Sequence, residues 1–290
     1  MKPRYSFSSR HTGHIENIRK QRQKYPSIAS NIIETSDIIL EVLDARFIEE
    51  TRNGPLEQKI RDKGKKLIYV FNKADLIKEK DVNFSKELRP FVFFSCLERK
   101  GAKQLRSLIK QEAKTLAKVE KKTLMHDKPK LTEFKDYLTV GVIGYPNTGK
   151  SSVINFLIGK SAAPTASEAG FTKGFQKFKL SNGLYLIDSP GVIPKDKYSH
   201  NESELIAEHT ILGSRSHNQV TDPELVIASL FLKYPGVLEK HYGIDTQEDS
   251  DLFLEELGRK KCFLKKGNEI NTDLTARSII KDWQEGKIKV

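Results

Sequence analysis

Cysteine is nearly absent. Cys96 and Cys262 are the only two in 290 residues, too few for a disulfide framework. Without a Cys-x-x-Cys pair there is also no thiolate set for a structural zinc. A reducing, cytoplasmic setting is therefore expected. No run of about 18 apolar residues occurs, so no membrane-spanning helix is expected. Met1-Lys2-Pro3-Arg4-Tyr5 is followed by polar residues rather than by the apolar stretch of a signal peptide. Aromatics make up only 9% and mean hydropathy is -0.52, which fits a soluble globular chain. Internal repeats and low-complexity tracts are missing. Acid is scarce: 38 Asp and Glu against 50 Lys and Arg leave a net charge of +12 and a pI near 9.4. Such an excess bears on partners rather than on fold, and favours a polyanion, either nucleic acid or an acidic membrane face.

The length suggests two domains at roughly 150 residues each. Residues 1–25 form a basic arm with seven Lys or Arg against Glu16. A helical pattern runs over 26–37. Ile38–Leu43 reads as a buried strand ending at Asp44-Ala45-Arg46, Pro55–Lys63 as a short amphipathic helix, and Lys66–Phe71 and Phe91–Ser95 as further strands. Gly101–Lys122 is a long helix with Leu105, Leu108 and Ile109 at helical spacing. A linker is expected at about 121–133, and Leu138–Ile143 is the next strand. A helix from Lys150 follows, then a small-residue loop over 161–173. Asn182-Gly183 lies between two β-rich runs and signals a hairpin. Beyond about 196 the β signal fades and the pattern to 290 is helical. Strands alternating with helices predict an α/β fold with a mostly parallel sheet and helices on both faces, over 26–196. An all-helical unit is expected at 197–290.

Gly144-Tyr145-Pro146-Asn147-Thr148-Gly149-Lys150-Ser151 matches the Gly-x4-Gly-Lys-Ser/Thr phosphate loop, with a strand before it and a helix after. Its backbone N–H groups, from Asn147 through Ser152, can wrap phosphates at a helix N-terminus. Lys150 would reach the β- and γ-phosphates and Ser151 would ligate Mg²⁺. Asn72-Lys73-Ala74-Asp75 follows another strand. The Asp75 carboxylate can accept from N1–H and the 2-amino group of guanine, a donor pair that adenine lacks. Lys73 can lie along the base, Asn72 can tie this loop to the phosphate loop, and Ser95-Cys96 sits where a further base-contacting loop is expected. Asp188 suits an outer-sphere role on Mg²⁺. The Gly191 N–H can meet the γ-phosphate, and Thr172 is the candidate Mg²⁺ ligand in the loop before it.

The order of these motifs is inverted relative to most GTPases, since Asn72–Asp75 precedes Gly144. The chain thereby resembles the circularly permuted GTPases, and within them the YlqF/YawG family of ribosome-assembly GTPases. Gly13-His14, Asp44-Ala45-Arg46, Arg52-Asn53, Lys260-Lys261-Cys262 and Gly267-Asn268-Glu269-Ile270-Asn271 add to the likeness. The resemblance implies GTP and GDP as ligands, Mg²⁺ as cofactor, and the large-subunit precursor with its rRNA as partner, for a ribosome-associated monomer. In a permuted chain the γ-phosphate-sensing loop runs directly into the helical unit. Val192 stands where many GTPases carry a water-orienting Gln. The substitutes are K⁺ held by Asn147 or an imidazole, for which the family motif points to His14. The aromatic-Pro context of that motif is missing here, which leaves His11 as a rival.

The excess charge is localised. Residues 1–25 carry +6 and residues 99–130 carry +8, with Lys103, Arg106, Lys110, Lys114 and Lys118 in one helical stripe. This predicts a salt-sensitive contact with RNA phosphates. The alternative is a regulatory G-protein that recruits protein partners through its helical unit. Asp75→Asn should weaken GTP binding and shift preference to xanthosine triphosphate, whose carbonyl replaces the 2-amino group. Competition binding with the two nucleotides measures this, and retained guanine preference refutes the base-reading role.

Overall fold

A computed structural model describes residues 29–79, 82, 84–126, 137–159, 176–188 and 203–290. The basic arm with His11 and His14, Thr172, Gly191, most of the expected linker and the expected boundary near 196 lie outside them. Six strands form one sheet: β1 (Ile38–Asp44), β2 (Lys66–Asn72), β3 (Phe91–Phe93), β4 (Leu138–Gly144), β5 (Gln176–Ser181) and β6 (Leu184–Asp188). Their spatial order is β3-β2-β1-β4-β6-β5. All neighbours run parallel except β5 and β6, which are antiparallel about Asn182-Gly183. β1 is buried along its whole length, as its near-continuous apolar run requires of a central parallel strand.

Helices cover both faces. On one face α4 (Ala102–His126) and α5 (Lys150–Ile158) pack on Leu40, Val42, Val70 and Val142. On the other, the helix at 29–35 (α1) and α3 (Gly54–Asp62) enclose Ile39 and Ile143. The short α2 (Ile48–Thr51) follows β1. α4 runs past Lys122 into the stretch expected as linker. Beyond the sheet, α6 (Ser203–Ile211), α7 (Pro223–Lys233), α8 (Val237–Tyr242), α9 (Ser250–Lys260) and α10 (Thr272–Gln284) form a helical unit. Asp222 caps α7 with Pro223 in its first turn, and left-handed Gly243 ends α8. The core of this unit includes Phe47 and Tyr145, which come from loops of the sheet domain. Sheet and helical unit are therefore joined by shared apolar burial.

The parallel register fixes where the loops emerge. Asp44 pairs with Asn72, and Val42 pairs with Gly144. The carboxyl ends of β1, β2 and β4 thus open at one edge of the sheet, where ligands of such sheets bind.

Glu41 points into the α3 face and is fully buried. One carboxylate oxygen accepts the Asn53 N–H at 3.0 Å. The other has no hydrogen-bond partner among the described residues. Beside it, Glu57 accepts two bonds from Arg52, each 2.8 Å, and one from the Tyr69 hydroxyl at 2.9 Å. Burial raises the Glu57 carboxyl, but the Arg52 guanidinium outweighs it and the net shift is downward. Glu41 lacks such a partner, and burial, reinforced by the Glu57 charge, pushes it up to about 8. It therefore carries the proton of the pair at neutral pH. The Arg52-Asn53 dipeptide builds this network: Asn53 also accepts from the Leu56 N–H to cap α3.

Glu41 titrates near 4.5 in the unfolded chain and near 8 when folded. The native state holds the extra proton between those values, so this contribution to stability falls as pH rises through that window. Relative to Glu41→Gln, the wild type should lose stability on the order of a few kcal/mol between pH 5 and pH 8. Urea unfolding of both proteins at the two pH values measures it, and a pH-independent difference contradicts the assignment.

Candidate nucleotide site

The base loop begins where β2 ends. Asn72 is buried, and Lys73 takes a left-handed conformation with φ of 62°. That turn feeds one 3-10 turn, Ala74–Leu76, and the Ala74 N–H donates to the Phe94 carbonyl at 3.1 Å. The Ser95 hydroxyl donates to the Asp75 carboxylate at 2.5 Å and accepts the Glu98 N–H at 3.0 Å. The 95–100 loop thereby orients Asp75. Lys73 pairs with Asp44 at 2.8 Å. Burial pushes the Lys73 ammonium pKa down against the pull of Asp44. Burial would likewise raise the Asp44 carboxyl, but Arg46 and Lys73 together hold it well below the usual carboxylate range. Cys96 follows Ser95 in the 95–100 loop. Burial, with Asp75 adding, pushes its thiol up to about 11, so it is a protonated packing group at neutral pH.

The phosphate loop approaches the base loop directly. The Asn72 side-chain amide donates to the Thr148 carbonyl at 2.7 Å, a buried bond across 76 residues of sequence. Gly149 has φ of 92°, and a Cβ there would meet that same Asn72 amide nitrogen. Within the loop, the Thr148 hydroxyl and the Lys150 ammonium both donate to the Tyr145 carbonyl, at 3.0 and 2.8 Å. Lys150 is thus folded back along its own loop. Ser151 and Ser152 occupy the first turn of α5. β6 lies parallel to β4 with Ile187 opposite Gly141, so Asp188 ends its strand on the side of the sheet from which the phosphate loop leaves, short of the level of Gly144. A hydroxyl and a carboxylate are hard oxygen donors, and that donor chemistry fits Mg²⁺.

Asn72, Asp75, Cys96, Asn147, Gly149 and Ser152 line one cavity of about 680 Å³, a size suited to a small organic ligand. The helical unit supplies the opposite wall, through Gly213, His217, Asn218, Lys281 and Gln284. Sequence reading did not find these residues, because helical periodicity carries no signal for where a helix docks. Arg277 donates to the His217 and Val220 carbonyls at 2.7 and 3.1 Å and fixes the wall loop. Gln284 donates to the Thr210 and Arg215 carbonyls at 2.8 and 2.7 Å. The Asn147 amide donates to the Gly213 carbonyl at 2.5 Å, so this phosphate-loop residue is tied to the helical unit.

The basic stripe of α4 is exposed at Lys103, Arg106, Lys110, Lys114 and Lys118. Arg106, however, donates to the Phe156 and Leu157 carbonyls at 3.3 and 2.6 Å, satisfying the last turn of α5. It is committed to helix packing, and four lysines carry the outward charge. Gly149→Ala should cut nucleotide affinity at least roughly tenfold, because the methyl group displaces Asn72 from Thr148 and the left-handed backbone is strained. Titration calorimetry with GDP measures this, and unchanged affinity breaks the link between the clasp and binding.

A family model described as a 50S ribosome-binding GTPase matches residues 139–240. The GTP-binding protein MJ1464 of Methanocaldococcus jannaschii is 38% identical over 274 residues, covering 93% of this chain and 68% of that protein. GTPase grn1 of Schizosaccharomyces pombe and nuclear GTP-binding protein NUG1 of Saccharomyces cerevisiae are each 32% identical. They cover 92% and 93% of this chain, which spans only 61% and 56% of their length. Among solved structures, GDP-bound YlqF of Thermotoga maritima aligns with a TM-score of 0.60 at 22% identity, over 90% of this chain and 96% of that one. At that identity the likeness is one of fold, and it extends across both sheet and helical unit. With the inverted motif order and the archaeal relative, these findings place the chain in the circularly permuted GTPases of the YlqF/YawG family.

Proposed function

We propose that this protein binds GTP with Mg²⁺, hydrolyses it to GDP and phosphate, and acts as an assembly factor of the large ribosomal subunit through rRNA contact. The observation that carries the reading is the bond from Asn72 to Thr148, which joins a guanine-reading motif to a phosphate loop at one sheet edge. Asp75 and Ser95, with Lys73 along the base and Ala74 and Cys96 beside it, would hold guanine. The backbone of Asn147–Ser152, Lys150 and Gly191 would hold phosphates. Ser151, Thr172 and Asp188 would hold Mg²⁺, which when bound neutralises charge developing on the β- and γ-phosphates. Asn147, which would hold K⁺, or an imidazole, His14 or His11, would orient the attacking water. The ribosomal assignment is supported by the description of the matched family model and by the exposed lysines of α4, whose nearby acid Glu112 pairs with Lys66 instead. Among the described residues no helix is long and apolar enough to cross a membrane.

The reading is tested by GTP turnover with and without large-subunit particles, in potassium and in sodium. Stimulation by the particles that fades with rising salt supports it. Particle-independent turnover with salt-insensitive capture of a protein partner favours the regulatory G-protein instead. His14→Ala should slow the stimulated rate at least roughly tenfold with little change in GTP affinity, and an unaltered stimulated rate removes His14 from catalysis.

A further inference from the structure

Arg46 has no assigned role in either half of the site. Its guanidinium forks onto Asp44, with Nε donating at 3.0 Å and Nη2 at 2.9 Å. The remaining arm, Nη1, donates to the main-chain carbonyl of Trp283 in α10 at 3.2 Å. The guanidinium also lies over the Phe47 ring at 4.7 Å and the Trp283 ring at 5.5 Å. The Arg46 and Asp44 side chains are each 2% exposed, so these contacts are shielded from solvent and salt. Asp44 in turn holds Lys73 at 2.8 Å. One unbroken line of charge-assisted contacts therefore runs from the base loop to the helical unit.

Along the base loop, Asp44 holds Lys73, the Phe94 carbonyl holds Ala74 and Ser95 holds Asp75. Asp75 and Leu76 form part of the wall of the nucleotide cavity and also of a second cavity of about 1170 Å³ on their other side. Of these anchors, only the Lys73–Asp44 pair continues through Arg46 to the helical unit. On the helical side, Gly286 comes so close to Leu76 that a Cβ would sit 2.9 Å from its Cδ1.

We infer that Arg46 is a positioning residue, which sets the base loop through Asp44 and Lys73 and passes guanine occupancy to the helical unit at Trp283. The inference rests on the guanine-site reading above and adds a coupling at the base end of the nucleotide, separate from the γ-phosphate end. Coupling of binding equilibria is reciprocal. A partner seated on the helical unit would therefore change guanine-nucleotide affinity through the same line.

The experiment uses the full chain, with GDP and inosine diphosphate, which lacks the 2-amino group, as probes. Trp283 is the chain's single tryptophan, so its fluorescence reports the far end of the line. The wild type should prefer GDP and show a change in tryptophan emission on binding it. Arg46→Lys keeps the charge but cannot fork onto Asp44 and reach Trp283 together. It should lower the GDP to inosine diphosphate preference roughly tenfold and abolish the emission change at saturating GDP. Asp44→Asn, which removes the carboxylate that Arg46 and Lys73 share, should lower the preference in the same direction, and it decides the matter if Arg46→Lys does not fold. A wild type that binds neither nucleotide would overturn the guanine site and the coupling with it. A wild type that binds GDP while both variants keep its preference and emission response overturns the coupling alone.

Discussion

The parallel register of β1 against β2 and β4 is the constraint on which the site depends. It sets Asp44 beside Asn72 and Val42 beside Gly144. A one-residue slip of β1 would exchange its two faces. Glu41 would then turn into the apolar layer under α4 and α5, and Asp44 would leave Arg46 and Lys73. The register is held because nearly every β1 side chain is apolar and packed, and because its one mid-strand carboxyl is neutral and bonded to Asn53. The Asn72–Asp75 motif and the phosphate loop can therefore come from separate segments and still meet within one hydrogen bond.

The second determinant is the shared core between sheet and helices. Tyr145 is the second residue of the phosphate loop, yet its ring is buried with Ile211, Val226 and Trp283. Phe47 stacks with Trp283 at 6.0 Å between centroids. These rings bury apolar area that a detached helical unit would expose, so movement of that unit bears directly on the phosphate loop. The tie from Asn147 to Gly213 adds a polar contact at the same junction.

Much of the fold was legible in sequence, for local reasons. Ile38–Leu43 and Lys66–Phe71 read as strands because a parallel strand buried on both faces needs a near-continuous apolar run. Asn182-Gly183 marked the hairpin because that pair tolerates the required backbone. The phosphate loop and base motif were visible because their chemistry fixes residue type at each position. The tie from Asn72 to the phosphate loop was expected from its motif, but other pairings between distant segments were not. Nothing near Arg106 says that it satisfies the end of α5, nothing near Arg277 says that it pins the His217 loop, and Asp44-Ala45-Arg46 was noticed only as a family feature. Such contacts depend on docking, which has no period in sequence. The roles of His14, Thr172 and Gly191 concern segments outside the described residues.

The inverted motif order also shapes how the chain acquires its structure. β1, β2 and β3 are made early, and their pairing is local. β1 then waits for β4, whose Thr139 donates to Asp37 across 102 residues of sequence. During synthesis the central strand of the finished sheet is for a time an edge strand, apolar and unpaired on one side. Exposed edges of that kind pair readily with other chains, and contacts so far apart in sequence form late. The permutation that brings the base loop first thus leaves the nascent protein with an apolar central strand uncovered on one side until the phosphate loop has been made.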